Sequence, residues 1–275
     1  MFDVQGHRGA RGYLPENTIP AFLLAVDLGV TTVELDVVVS GDRRIVVSHD
    51  PWFDARICRA PDGGRLSPDP ARRRLLYSMP YDEIAQYDCG GLGNPDFPEQ
   101  RPMVAVKPLL VDAIEAVEAH VRIRGLPPVR YNIETKSRPE WDGVMHPPPG
   151  EFVSLLLGEL RELGVLPRVT IQSFDVRTLQ AVRALDPTVE LSLLVENDLS
   201  VAENLERLGF TPDIYSPHHR LVDEALVAGA HALGMRVLPW TVNDPEEVER
   251  LRALGVAGVI TDYPDRALAQ AAGPN

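Results

Sequence analysis

The sequence predicts an α/β fold, a (β/α)8 TIM barrel with one inserted small capping segment, on three observations. From residue 109 onward, strand-length apolar runs alternate with helix-period stripes, the signature of βα units feeding a parallel sheet. Pairs that stop a helix and start a strand recur at Gly29-Val30, Gly164-Val165, Gly234-Met235 and Gly255-Val256. The length, 275 residues, suits one large barrel domain over 1–275 at least as well as two small ones.

Val4 to His7 reads as the first strand, and Gly6 and Gly9 flank His7-Arg8 so that backbone and ligand can approach closely. Thr18 is placed to cap a helix with Pro20 in its first turn, a stripe at Ile19, Phe22, Leu23 and Val26, and Gly29 as its stop. Thr32 to Val39 is the second strand, Ser40-Gly41-Asp42-Arg43 a turn, and Arg44 to Ser48 a third strand. So short a link cannot make a parallel crossover, so these two strands form an antiparallel hairpin that returns His49 to a place opposite Leu35, beside Glu34 and Asp36.

Residues 51 to about 105 break the alternation, being rich in Pro, Gly, Arg and Asp, with a helical turn only at Tyr81 to Gln86; they read as an insertion capping the barrel mouth. The alternation then resumes. The predicted strands are Arg130 to Glu134, Val169 to Ser173, Glu190 to Val195, Ile214 to Ser216, Arg236 to Val242 and Gly258 to Thr261. The helices are Leu109 to Arg124, Phe152 to Leu163, Val176 to Leu185, Ala202 to Leu208, one ending at Leu233, and Glu246 to Leu254. With the hairpin's second arm set apart, eight parallel strands remain, the count of a (β/α)8 barrel.

A chain that is 44% hydrophobic and 24% charged has ordinary globular composition, which excludes a disordered or fibrous protein. Its formal charge of −13 argues against nucleic acid or an anionic membrane surface as a partner, and obliges any anionic substrate to find local positive charge. No apolar run approaches the length of a membrane span, so no stable membrane anchor is expected. No targeting segment precedes the first motif, so the expected location is cytoplasmic, or periplasmic or secreted if a signal has been removed. Cys58 and Cys89 are too few for a disulfide scaffold; they form one bridge or remain two thiols. A monomer and a homodimer fit the sequence equally.

Barrel chemistry sits at the C-terminal ends of the strands. The polar residues predicted there are His7 and Arg8, Glu34 and Asp36, Glu134 and Lys136, Gln172 and Ser173, Trp240 and Asn243, and Asp262. Glu34 and Asp36, spaced i and i+2 on a strand, project to one face, where like charges repel unless a cation intervenes. With Glu134 they make an all-oxygen site suited to Mg²⁺ or Ca²⁺, with Mn²⁺ also accommodated. Arg8 and Lys136 add positive charge, and His7 and His49 fit general acid–base roles.

The ordered set His7-Arg8-Gly9, Pro15-Glu16-Asn17-Thr18, Glu34-Leu35-Asp36-Val37, Ser48-His49-Asp50 and Asn132-Ile133-Glu134-Thr135-Lys136 resembles the glycerophosphodiester phosphodiesterase family. The resemblance implies metal-dependent hydrolysis of a small-molecule glycerophosphodiester to sn-glycerol 3-phosphate and an alcohol. It implies an insertion after the His-Asp motif that covers the site. It places Glu16 as an orienting group, Asn17 as a polar ligand near metal or phosphate, and Trp240, with Phe174, in the wall of a glycerol pocket. Arg8, Glu16, Asn17, Lys136, Gln172 and Trp240 are the expected substrate-binding residues. Two alternatives stand beside this reading. A lysophospholipase D would want an open apolar mouth, which the polar insertion disfavours. A non-catalytic glycerophosphodiester-binding module would be expected to lack one of the histidines or carboxylates, and all are present.

Overall fold

A computed structural model of the chain describes residues 2–271. The barrel strands are β1 (Asp3–Gly6), β2 (Thr32–Val39), β4 (Arg130–Thr135), β5 (Val169–Ser173), β6 (Glu190–Val195), β7 (Ile214–Pro217), β8 (Arg236–Val237) and β9 (Gly258–Thr261). They pair in parallel in the order β8-β7-β6-β5-β4-β2-β1-β9. The ring closes between its ends through Ala257 N–H to Val237 O (2.8 Å), Ile260 N–H to Pro239 O (3.0 Å) and Val242 N–H to Ile260 O (2.9 Å). β3 (Ile45–Val47) lies off the ring, antiparallel to β2 with Val37 opposite Val47, and this register carries His49 toward Leu35 as the hairpin argument requires.

The outer layer holds α1 (Ile19–Leu28), α3 (Leu110–Arg124), α4 (Pro149–Glu162), α5 (Val176–Leu185), α6 (Val201–Leu208), α7 (Glu224–Ala232), α8 (Pro245–Ala253) and α9 (Pro264–Ala271); the short α2 (Tyr81–Ile84) belongs to the insertion. α1 starts where Thr18 accepts the Ala21 N–H at its Oγ1, carries Pro20 in its first turn, and stops at Gly29 with φ 101°. Its Ala21, Phe22, Ala25 and Val26 are buried.

All eight residues of β2 are buried, because one face meets helices and the other meets the barrel interior. Val33, Leu35 and Val37 join the main apolar core between strands and helices. Glu34 and Asp36 face inward. A second apolar cluster, including Val38, Val46, Phe53, Leu76, Ile84 and Tyr87, lies where the insertion packs on the β2–β3 hairpin. Cys58 and Cys89 are joined there as a disulfide, which resolves the two open alternatives.

Two elements differ from expectation. The predicted strand over 236–242 is regular only at Arg236–Val237, since Pro239 has no N–H to donate and interrupts the ladder. The segment still follows its neighbours, with Leu238 N–H bonded to Tyr215 O and Trp240 N–H to Pro217 O. The alternation read from sequence ends at Thr261, whereas the chain adds α9, whose first residue is Pro264. Among the described residues no helix is long and apolar enough to cross a membrane.

Candidate active site

The site begins with two tight turns. His7 N–H bonds to Thr261 O, and the chain then folds back so that Gly9 N–H reaches Gly6 O and Glu34 O. Gly9 has φ 85°, and a Cβ there would sit 2.6 Å from the Ala21 carbonyl carbon. Arg8 and Asn17 are also left-handed, at φ 52° and 55°, and are tied by Asn17 N–H to Arg8 O at 3.0 Å. Non-glycine residues in this region store about 1–3 kcal/mol each and concentrate at functional sites. Here the strain turns the Arg8 N–H onto Glu34 Oε2 at 2.8 Å.

Strand register assembles the carboxylates. Asp36 pairs with Glu134 across β2 and β4, and Glu134 pairs with Gln172 across β4 and β5. Glu34, Asp36 and Glu134 each offer an oxygen within 4.8 Å of the others, and all three are buried. Gln172 donates to Glu34 Oε1 (2.8 Å) and accepts from Asn132 Nδ2 (3.1 Å), so its amide is committed within the barrel. Asn17 donates to Asp36 Oδ2 (2.8 Å) and accepts the Asp36 N–H (3.2 Å). It lies behind Asp36 and orients it. The helix cap is Thr18, not Asn17.

The residues present suit a hard divalent cation. Asp36 Oδ1 is buried with no hydrogen-bond partner, an expensive arrangement for a carboxylate oxygen unless something else binds it. Burial and the neighbouring Asp36 push Glu34 well above the usual carboxylate range. Burial outweighs the opposing pull of Lys136 and, with the neighbouring Asp36, raises Glu134 to about 7. Asp36 itself is held low, because Lys136 and Arg8 outweigh its burial. Among the described residues two side-chain cations pair with the trio: Lys136 Nζ lies 2.7 Å from Glu134 and 3.6 Å from Asp36, and Arg8 Nε lies 3.2 Å from Asp36.

Both histidines are backed by carboxylates. His7 Nδ1 is 2.7 Å from Asp262 Oδ1, and His49 Nδ1 is 2.9 Å from Asp50 Oδ1. An ionised carboxylate only accepts, so each Nδ1 carries the proton and each Nε2 is left to exchange one with a reactant. Burial and the adjacent Arg11 lower His7 to about 4 against the pull of Asp262. Burial with Arg8 and Lys136 lowers His49. Asp262 also accepts from Arg11 Nε (2.8 Å) and Asn243 Nδ2 (2.7 Å), so it is rigidly aimed. Arg8 Nη1 bonds Glu16 Oε1 at 2.8 Å; burial opposes the Glu16 charge, but Arg8 and Arg11 hold its carboxyl at about 2.

A cavity of about 260 Å³ brings together His7, Arg8, Glu34, His49, Glu134, Lys136, Gln172 and Trp240 from the predicted set. Arg11 and Phe174 complete its polar and aromatic walls. Asp36 and Asn17 lie behind that surface, and Glu16 opens onto an adjoining polar cavity with Arg8 and Arg11. Trp240 donates its indole N–H to Ser216 O (2.9 Å) and meets Phe174 edge-to-face at 5.4 Å.

Several contributors escape a reading of the sequence. Arg11 lies one turn beyond Arg8 outside any strand end, and Asp50 is legible in its motif but not as the partner of His49. Lys107, at the close of the insertion, is buried and donates to Ser48 Oγ at 2.7 Å, while Ser48 donates to Asp50 O at 2.6 Å. Asp262 is recognisable as a strand-end acid, yet its pairing with His7 spans 255 residues of sequence.

Comparison with known proteins gives concordant results. The profile of the Glycerophosphoryl diester phosphodiesterase family matches residues 7–266. A glycerophosphodiester phosphodiesterase of Caldanaerobacter subterraneus is 30% identical over 266 residues, covering 95% of this chain and 94% of that protein. A crystal structure from Silicibacter pomeroyi superposes with a TM-score of 0.87 at 30% identity, covering 98% of this chain and 93% of that one. An Oleispira antarctica phosphodiesterase, solved with the product sn-glycerol-3-phosphate, superposes with a TM-score of 0.77 at 26% identity, covering 98% and 97%.

Proposed function

Since the chain belongs to the glycerophosphoryl diester phosphodiesterase family, we propose that it hydrolyses glycerophosphodiesters to sn-glycerol 3-phosphate and an alcohol, with a divalent cation on Glu34, Asp36 and Glu134 and with His7 and His49 as the acid–base pair. The chain is an enzyme, a phosphoric diester hydrolase. The observation that carries the finer reading is the buried trio of carboxylates beside two histidines, each with a carboxylate on Nδ1.

Glu34, Asp36 and Glu134 would hold Mg²⁺, Ca²⁺ or Mn²⁺, and the bound ion supplies charge neutralisation and Lewis acidity at a phosphoryl oxygen. Arg8 and Lys136 attract the phosphoryl group in a chain that is otherwise strongly acidic. Arg8 keeps its charge because Glu16, Asp36 and Glu34 outweigh its burial. One histidine takes the proton of the attacking hydroxyl at Nε2, and the other gives a proton to the departing alkoxide, so the pair ends with its proton count unchanged. Asp262 and Asp50 hold the rings in the tautomer that this exchange needs. Trp240 and Phe174 present an apolar wall to the glycerol carbons.

The test is release of glycerol 3-phosphate from glycerophosphocholine and glycerophosphoethanolamine after chelation, then with Mg²⁺, Ca²⁺ or Mn²⁺ restored. Release should stop on chelation and return with a cation. Release that survives chelation would remove the metal from the reaction, and no release under any condition would remove these diesters as substrates.

A further inference from the structure

A phosphodiester has two arms, one on each side of phosphorus. A second cavity of about 440 Å³ adjoins the one described above, sharing His49, Glu134, Lys136, Phe174 and Trp240. Its outer wall is made by Asp50, Trp52, Ser137, Arg138, Trp141 and Glu196. Nothing in the hydrolysis proposed above uses these last groups, apart from Asp50 at His49.

We infer that this second cavity seats the departing alcohol, and that Glu196 makes it a subsite for cationic head groups. The inference rests on the proposed hydrolysis of glycerophosphodiesters. Two observations place the leaving arm here. The shared wall contains a metal-site carboxylate, Glu134, and the histidine His49, so a group extending from phosphorus past them enters this space. The other adjoining cavity, beside Arg11 and Glu16, has none of the three metal-site carboxylates in its wall.

The chemistry of the wall then selects the head group. Glu196 follows directly on β6 at the barrel mouth, is exposed, and has no hydrogen bond or ion pair among the described residues. Asp50 adds a second carboxylate. Glu134 and Lys136 are paired with each other. Two further cations lie along this wall: Arg138 sits over the Trp141 ring at 4.8 Å, and Arg73 covers the Trp52 ring at 4.1 Å. Those two indoles already carry cations, which leaves Phe174, 43% exposed, and Trp240, fixed through its N–H, as the aromatic surface presented to a ligand. The unpaired Glu196 carboxylate beside aromatic surface attracts an ammonium or trimethylammonium group through charge and cation–π contact. It offers less to a neutral polyol. The bond that breaks is P–O to this alcohol, which leaves with the proton supplied by the acid histidine.

The experiment measures kcat/KM for glycerophosphocholine and for glycerophosphoglycerol, cationic and neutral at the head group, in the Mg²⁺-loaded full chain. The readout is the ratio of the two. In Glu196→Gln the choline-to-glycerol ratio should fall about fivefold to tenfold at low ionic strength, and in Glu196→Lys it should fall further. In the wild type the same ratio should shrink as salt rises, because an exposed charge is screened. Glu196 is exposed, so both variants should fold. A ratio within twofold of wild type in both variants would overturn the inference, as would a ratio that rises, which would assign selection to Arg138 and an anionic group. A wild type that releases product from neither diester would overturn the hydrolysis itself, and is thereby distinguishable from failure of the subsite alone.

Discussion

The imidazoles of His7 and His49, the proposed acid–base pair, are each held by one carboxylate, and further contacts fix the aim of Asp262. Asp262 is bonded by His7, Arg11 and Asn243 and is held well below the ordinary carboxylate range, since His7 and Arg11 outweigh its burial. Asp262→Asn keeps the shape but permits the wrong tautomer of His7. It should lower kcat about a hundredfold or more with little change in KM, while His7→Ala and His49→Ala lower kcat by about 10²–10⁴. Near-normal turnover in a well-folded His variant would remove that ring from the mechanism. The metal-site carboxylates make a different prediction. Glu134 is raised to about 7, so between its ordinary 4.5 and 7 the metal-free fold binds more protons than the unfolded chain. Stability from this group is therefore present at low pH and lost as pH rises through that window. A cation binds the deprotonated site, so the rise in Tm produced by Mg²⁺ or Ca²⁺ should be larger at pH 8 than at pH 5.5. An equal rise at both would show that the cation binds elsewhere.

Elements position these side chains through backbone constraints that tolerate little change. The turn after β1 needs Gly9, where both the left-handed backbone and the contact with Ala21 forbid a side chain. Gly9→Ala should cost about 1–3 kcal/mol and reduce activity with it, because the same turn presents the Arg8 N–H to Glu34. Urea unfolding measures the loss, and a variant as stable as wild type would refute the strain argument. β2 illustrates the reverse case, in which pattern suffices. Its alternating carboxylates and aliphatics follow from the two-residue period of a strand, so the inward pair was legible from residues alone. β8 was only partly legible. Arg236 to Val242 has strand composition, but Pro239 breaks the ladder inside it.

At the scale of the molecule, the barrel supplies the site and the insertion supplies part of its rim. The Cys58–Cys89 bridge sits in the cluster under that insertion and closes a separation of 31 residues. Loop-closure entropy gives such a crosslink about 3–4 kcal/mol. Cys58→Ser with Cys89→Ser should lower Tm and loosen the segment that carries Trp52 and Lys107. Limited proteolysis within 51–105 should then speed up relative to the barrel. Equal cleavage rates in variant and wild type would mean that the apolar cluster, not the bridge, holds the insertion.

The barrel class, its count of eight parallel strands and the residues gathered at the mouth were legible in the sequence alone, because strand and helix periods and strand-end positions are local properties of the chain. So was the meeting of His49 with Glu34 and Asp36, which a short hairpin compels. What only the tertiary structure decided are pairings between residues distant along the chain and free of any shared period. These are Asp262 with His7, Arg11 across to Asp262, Asn17 turned behind Asp36 instead of toward the cavity, Lys107 beneath Ser48, and the union of Cys58 with Cys89. Each depends on where closure of the ring and packing of the insertion bring separate segments, and no local period encodes that distance.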